Sequence, residues 1–239
     1  MSPIESNLQQ ARRSIDAAIA GCAKTRQQEV SLVAVSKTHS ADAVRAAFAA
    51  GQRAFGENYA QEGVAKIAVL SGLKPHGIEW HFIGPLQSNK AGLVAAHFDW
   101  VQSVDRLKIA HALSARREGP PLQVLIEVNV SNEVSKSGVA PNETLAFARE
   151  VAVLPQLNVR GLMSIIEPAA DTNLQRAQFQ SLKSLFEQGR AEGLGFDTLS
   201  MGMSGDFALA IAEGATMVRL GTAIFGARAS KSPSQERAA

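Results

Sequence analysis

Apolar runs of strand length alternate with helical segments along the chain, and this alternation most constrains the fold. The runs are rich in β-branched and aromatic residues, and each is followed by apolar residues at helical spacing or by a helical turn. Strands that alternate with helices form a parallel sheet. The eight predicted strands cover residues 30–36, 53–56, 78–84, 99–104, 122–130, 159–165, 197–202 and 216–221.

Eight such units after one extra N-terminal helix predict an α/β fold, a single (β/α)8 TIM barrel, and 239 residues suit its usual size. The alternative is an open doubly wound sheet, which needs a glycine-rich turn after the first strand. Here Lys37-Thr-His-Ser40 follows that strand and contains no glycine. We therefore expect one barrel domain over residues 1–228 and a flexible polar tail over 229–239.

Composition excludes several classes of protein. A net charge of +2 gives no basic stripe for nucleic acid, and the single cysteine, Cys22, excludes an intrachain disulfide. The first twenty residues carry charges where a signal peptide would be apolar, and no uncharged run is long enough to span a membrane. We expect a cytoplasmic protein without nucleic-acid or membrane partners.

The carboxyl ends of the strands form the functional face of such a barrel. Lys37 follows the first strand, where the amine leaves apolar surroundings. Desolvation favours the neutral amine, which can form a Schiff base with an aldehyde. Taken alone, Lys37 is better explained as a rim lysine whose stem covers apolar surface.

Two turns at the last two strands combine glycine with hydroxyl groups. One runs from Ser200 through Gly202 to Ser204, and the other is Gly221-Thr222. Helix starts with hydroxyl groups bind phosphate, and the loops after strands 7 and 8 are the usual phosphate site of a barrel. The alternative is ordinary capping, with Ser204 and Thr222 starting helices.

Arg219 lies inside an otherwise apolar last strand. A buried arginine needs an anion or several acceptors, and the alternatives are a barrel carboxylate such as Glu127 or a ligand. With Lys37 and the two turns, Arg219 predicts one ligand that carries an aldehyde, a phosphate and a polar heteroatom. Pyridoxal 5′-phosphate (PLP) has all three. The five histidines form no short metal-ligand motif, so no metal is expected.

The sequence resembles the pyridoxal phosphate homeostasis proteins, which are PLP-binding proteins similar to the N-terminal domain of alanine racemase. The resemblance extends from Val33 to Arg228. It differs locally at His39, where relatives often carry a second lysine. It rests on the stretches VAVSKTHS, FGENYAQE, IEWHFIGPLQSNK, VNVSNEVSKSG, RGLMSI, LSMGMSGD and MVRLGTAIFGAR.

The resemblance implies PLP held as a Schiff base on Lys37, with Arg219 against the pyridine nitrogen. It implies that Asn58 and Met163 line the ring, and that Lys136 lies near the mouth of the barrel. The implied phosphate contacts are Ser200, Ser204, Gly221 and Thr222.

The resemblance also implies a non-enzymatic protein of PLP homeostasis that supplies PLP to apo-enzymes. The alternative is a PLP-dependent amino-acid racemase. Related racemases use a lysine and a tyrosine, the latter from a second domain, for which the barrel leaves no length here. Tyr59 is the only tyrosine, and we expect it at the rim. Without that second domain we expect a monomer. A Schiff-base aldolase acting on phosphosugars would share Lys37 and the phosphate turns, but the motifs disfavour it.

Overall fold

Eight parallel strands close into one barrel, as the alternation predicts. The computed structural model describes residues 2–22, 29–131, 133, 136–166 and 171–227. The first strand pairs with the second and with the last, which closes the sheet. The strands are β1 Ser31–Val35, β2 Ala54–Glu57, β3 Glu79–Phe82, β4 Trp100–Val104, β5 Leu122–Glu127, β6 Leu157–Met163, β7 Thr198–Ser200 and β8 Met217–Leu220.

Helices separate the strands, and one additional helix precedes the first strand. Two short 3-10 helices, Ser71–His76 and Ser88–Lys90, interrupt the connections on either side of β3. The α-helices are α1 Pro3–Ala20, α2 Ala41–Ala49, α3 Ala60–Val69, α4 Ala91–His97, α5 Leu107–Ser114, α6 Thr144–Ala152, α7 Thr172–Ala191, α8 Phe207–Ala212 and α9 Thr222–Phe225. The predicted tail at 229–239 lies outside the described residues.

The extra helix α1 packs against the first helix of the barrel and against its last two helices. Ser2 and Glu5 form a capping box at its start, which satisfies two backbone donors reciprocally. Leu8, Ala11 and Ile15 are buried on one face of the helix, which packs against α2, α8 and α9. This apolar stripe attaches α1 to the first and last helices of the barrel.

The larger apolar core lies between the strands and the surrounding helices. A smaller cluster of Trp100, Leu125 and Met163 is separate from it. Gly161 explains a register shift between β5 and β6, since its φ is +146° and a Cβ there would lie 2.0 Å from the Thr198 carbonyl oxygen. Only glycine permits this approach of β6 to β7.

Two predicted helix starts are wrong. The helix after β7 begins at Phe207 with Asp206, not Ser204, at its N-cap position. The Asp206 carboxylate accepts the Met203 backbone N–H at 2.5 Å, and this turn displaces the helix start past Ser204. The last helix begins at Thr222 with Gly221 at the N-cap, so Thr222 is its first residue and not its cap. Neither the Ser204 nor the Thr222 hydroxyl therefore occupies an N-cap position.

Candidate functional site

A cavity of about 250 Å³ lies at the carboxyl ends of β1, β7 and β8. We call it the upper cavity, and it brings together five of the residues predicted from the sequence: Lys37, Ser204, Arg219, Gly221 and Thr222. Val35, His39, Met203, Gly205 and Gly226 complete its lining. The last strand and the first strand are neighbours in the closed barrel, so Lys37 and Arg219, which are distant in sequence, line one cavity.

The half-buried Lys37 lies in a tight turn directly after β1. The His39 backbone N–H donates to the Ser36 carbonyl at 3.1 Å and closes the turn. Thr38 has a φ of +65°, which is costly for a β-branched residue. The Glu62 carboxylate accepts the Thr38 N–H at 2.6 Å and stabilises this conformation. The hydrogen bond from Thr38 to Glu62 of α3 holds this strained turn in place. The turn thereby sets the point at which the Lys37 side chain leaves the backbone.

A buried ion-pair network lies behind the Lys37 turn. Lys66 of α3 donates to Glu57 at 2.8 Å, to Glu62 at 2.7 Å and to the Ser36 carbonyl at 2.6 Å. Ser36 Oγ donates to Glu57 at 2.6 Å. Burial raises the pKa of Glu57, and Lys66 opposes that rise. The network therefore connects β2 and α3 to the backbone on both sides of Lys37.

A loop and a short helix form the opposite side of the upper cavity. Gly202 has a φ of +98°, and a Cβ there would lie 2.7 Å from the Ala210 Cβ, so the turn after β7 requires glycine. The turn places Ser204 on the wall of the upper cavity, which Thr222 at the start of α9 also lines. His39 stacks on Phe225 of the same helix, with ring centroids 5.0 Å apart. The hydroxyl groups and the Lys37 turn are thus held together.

Arg219 is 4% exposed and lies at the base of the upper cavity. It donates to Ser200 Oγ at 2.6 Å and to the Ser164 carbonyl at 2.9 Å. Burial lowers the pKa of Arg219 to about 10, although the charges of Glu127 and Asp206 act to raise it. The guanidinium is therefore charged at neutral pH. Glu127 acts on Arg219 through its charge, while the hydrogen bonds go to Ser200 and Ser164.

Ser200 and Met163 lie in the barrel interior, outside the lining of the upper cavity. The Ser200 hydroxyl donates to Gln102 Oε1 at 2.7 Å in addition to accepting from Arg219. Met163 is fully buried against Trp100 and Leu125. The predicted contacts of these two residues with a ligand stay predictions, and the structure places both beneath the site.

Asn58 and Lys136 line a second cavity of about 180 Å³ at the same end of the barrel. We call it the mouth cavity, and its wall also includes Glu127 and Ile165. The Lys136 ammonium pairs with Glu133 at 2.7 Å. Asn58 Oδ1 is buried with no hydrogen-bond partner in the part of the chain that the structure describes. The prediction that Lys136 lies near the mouth of the barrel agrees with this position.

Sequence reasoning missed the residues that support the site from behind. Glu62 and Lys66 have the i, i+4 spacing of a helical ion pair, which is a readable signal. Glu57 in a strand and Gln102 in the barrel interior have no such signal, because their partners come from other strands and helices. Tyr59, expected at the rim, is 56% exposed at the start of α3.

The geometry describes a barrel whose functional face carries a lysine on β1 and an arginine on β8, and the family comparison agrees. The family described as alanine racemase, N-terminal domain, matches residues 4–229. The chain belongs to this family. Alanine racemase from Corynebacterium glutamicum, at 18% identity and a TM-score of 0.67 over 93% of this chain and 59% of that chain, shares the fold.

More similar relatives identify the branch of the family. The pyridoxal phosphate homeostasis protein of Vibrio alginolyticus is 51% identical over 95% of this chain and 99% of its own length. The pyridoxal phosphate homeostasis protein of Escherichia coli K12 is 50% identical over 95% of this chain and 98% of its own length. PipY of Synechococcus elongatus, solved with PLP bound, is 36% identical, with a TM-score of 0.79 over 93% of this chain and all of that chain.

The described residues form neither a helix that could cross a membrane nor a side-chain cluster that could hold a metal ion. Helices in this part of the chain are too short or too polar to cross a membrane. His, Cys, Asp and Glu side chains form no group of three or more that could hold a metal ion among the same residues.

Proposed function

We propose that this chain binds PLP on Lys37 as a Schiff base and supplies it to PLP-dependent apo-enzymes. The observation that carries the proposal is the upper cavity, which gathers the Lys37 amine, the Arg219 guanidinium and the Ser204 and Thr222 hydroxyls around about 250 Å³. PipY, 36% identical to this chain, was solved with PLP bound. The proposed function agrees with the names of the relatives that are about half identical.

The donor set fits each part of PLP. PLP supplies an aldehyde for imine formation, in which the neutral amine nitrogen adds to the carbonyl carbon and water leaves. Ser204 and Thr222 offer hydroxyl groups to the phosphate, beside the backbone of Gly205 and Gly221. Arg219 offers its guanidinium to the pyridine nitrogen. Together these groups bind and orient the cofactor.

The charge of Arg219 favours holding PLP, or simple proton exchange, over transamination. An arginine is always charged and donates hydrogen bonds, so it disfavours a protonated pyridine nitrogen. Without that proton the ring is a poorer electron sink for carbanion chemistry. The charged state of Arg219 follows from its pKa of about 10. Arg219 therefore disfavours transamination and is compatible with both a carrier and a racemase. The carrier is favoured because a racemase needs a second base, and Tyr59 is 56% exposed.

Borohydride reduction should fix PLP covalently at Lys37. Reduction of the imine makes a stable secondary amine, which tryptic digestion and mass spectrometry locate. We expect the label on Lys37, its loss in Lys37→Arg, and its retention in the matched variant Lys136→Arg of the mouth cavity. Labelling of Lys37→Arg at the level of the wild type would refute Lys37 as the attachment point.

Transfer of PLP separates a carrier from a passive store. We expect an apo-aminotransferase mixed with the loaded protein to regain activity faster than PLP leaves the protein by itself, measured by dialysis. Equal rates would remove the supply function and leave storage. Conversion of L-amino acids to D-amino acids by the loaded protein, detected by chiral chromatography, would favour the racemase alternative instead.

A further inference from the structure

A cavity of about 530 Å³ lies at the opposite end of the barrel from Lys37. We call it the floor cavity, because the first residues of the strands line it, among them Ser31, Ala54 and Thr198. Arg12 of α1 and Arg53, which precedes β2, form its outer wall. Its volume is that of an ordinary small-molecule site, and the upper cavity has no part in it.

His81 lies in the wall of the floor cavity, and a chain of hydrogen bonds fixes its tautomer. Arg219 can only donate, so Ser200 accepts from it and donates its own proton to Gln102 Oε1 at 2.7 Å. The Gln102 amide nitrogen then donates to His81 Nδ1 at 3.0 Å. Nδ1 is therefore the acceptor, and the ring proton is on Nε2.

The Nε2–H of His81 is buried with no acceptor among the described residues. The side chain is 1% exposed, and its ring stacks on Trp100 with centroids 5.2 Å apart and an interplanar angle of 12°. Burial lowers the pKa of His81 to about 3, so the ring is neutral at physiological pH and keeps this single donor. A buried donor without an acceptor is costly and needs explanation.

The wall of the floor cavity carries three guanidinium groups, from Arg12, Arg53 and Arg160, and two carboxyl groups. Arg12 donates to the Ala50 carbonyl and to Gln52, and Arg53 donates to the carbonyls of Phe48 and Gln52. These acceptors are neutral, so the hydrogen bonds do not cancel the charge of either arginine. Arg160 pairs with Asp197 and lies over Trp100 at 5.1 Å. The carboxylates in the wall are Asp16 and Glu79, and burial raises the pKa of Glu79.

We propose that the floor cavity binds a small organic oxyanion, whose oxygen accepts the Nε2–H of His81 and whose charge is met by Arg12 and Arg53. The indole of Trp100 and the Met217 side chain provide apolar surface for the body of the ligand. The ligand supplies the acceptor that the neutral imidazole lacks. The floor cavity lies at the other end of the barrel from the proposed PLP site, and its lining shares no residue with the upper cavity. The hydrogen bonds from Arg219 through Ser200 and Gln102 to His81 connect the two ends.

The test titrates the PLP-free protein with succinate and, separately, with inorganic phosphate, at constant ionic strength set with sodium chloride. Trp100 lies in the cavity wall, so its fluorescence, recorded in a Trp80→Phe background that removes the other tryptophan, reports occupancy. We expect a saturable change with a Kd in the millimolar range or tighter, and a rise in melting temperature with ligand. Saturable binding of succinate would support the proposal. A phosphate signal counts for the floor cavity only if it persists in Thr222→Val, because the upper cavity is itself a proposed phosphate site.

Arg53→Gln should weaken binding by about tenfold, since it removes a charged hydrogen-bond donor. The exposed Arg190→Gln is the matched control: Arg190 also stacks on a phenylalanine, in α7, and is absent from the lining of the floor cavity. His81→Phe keeps the stacked ring and removes the donor, and should weaken binding similarly. If neither anion gives a saturable signal and melting shift by about 20 mM, or if Arg53→Gln binds like wild type, the site does not exist.

Discussion

Lys66→Met should cost the protein about 3–5 kcal/mol of stability, the expected penalty for breaking a buried ion pair by removing one partner. Lys66 is 7% exposed and Glu57 is fully buried, so the carboxylate left behind cannot recover its hydration. For a chain of this size the loss corresponds to a fall in melting temperature of roughly 6–20 °C. Thermal and urea unfolding at neutral pH measure it.

The pH dependence of this variant follows from Glu57. Burial raises the pKa of Glu57 and Lys66 opposes that rise, so removing Lys66 raises the pKa further. A carboxyl group whose folded pKa is raised contributes stability below its unfolded pKa and loses it as pH rises through the folded pKa. The deficit of Lys66→Met should therefore be largest at neutral and alkaline pH and shrink in acid.

Two further variants control the experiment. Lys183→Met removes a lysine whose ion pair with Glu187, at 3.4 Å on α7, is partly exposed. This variant should change stability by less than about 1 kcal/mol. The double variant Glu57→Gln/Lys66→Met removes both buried charges and should be more stable than Lys66→Met alone. A Lys66→Met protein as stable as Lys183→Met would show that the network behind Lys37 contributes nothing.

The barrel was predictable because its information is local. Each strand is an apolar run and each helix has its own periodicity, so the order of elements predicts a parallel sheet. The count of eight strands and the lack of a glycine-rich turn after the first strand favour a closed barrel over an open sheet. The same logic placed Lys37, Ser204, Arg219, Gly221 and Thr222 at one end, since strand ends need no knowledge of packing. These five residues line one cavity.

The remaining features depend on side-chain direction and on partners distant in sequence. Ser200 lies two residues before Gly202, and only the barrel geometry shows that its hydroxyl turns inward to Gln102 and Arg219. Ser204 and Asp206 are both good N-cap residues, and the hydrogen bond from Met203 N–H decides for Asp206. The ion pair of Glu57 with Lys66 forms because α3 packs against β2. No local sequence pattern predicts that packing.

Glu127→Gln should stabilise the protein above neutral pH, the opposite of what loss of a charged residue near Arg219 suggests. Glu127 is 7% exposed, and its pKa is raised to about 7 from an ordinary 4.5. Burial is the main cause and Asp105 adds repulsion, while Arg219 and Arg106 only partly offset them. The ionised form is therefore the costly one in the folded protein.

The sign of the effect follows from proton linkage. Because its folded pKa is raised, Glu127 contributes stability below about pH 4.5, and this contribution is lost as pH rises to about 7. A shift of about 2.5 units corresponds to about 3 kcal/mol. Glu127→Gln keeps a neutral side chain at every pH, so its advantage over wild type should be near zero in acid and about 3 kcal/mol at about pH 8.

Urea unfolding of both proteins at about pH 4, 6 and 8 measures this difference, with the exposed Glu150→Gln of α6 as the matched control. The control should change stability little at each pH, because the Glu150 side chain is exposed in the folded protein. A flat difference for Glu127→Gln as well would mean that Arg219 compensates Glu127 fully. The Arg219 guanidinium would then be committed to an internal carboxylate, as one reading of the sequence allows, and less available to a ligand in the upper cavity. A difference that grows with pH leaves the charge of Arg219 available to that cavity.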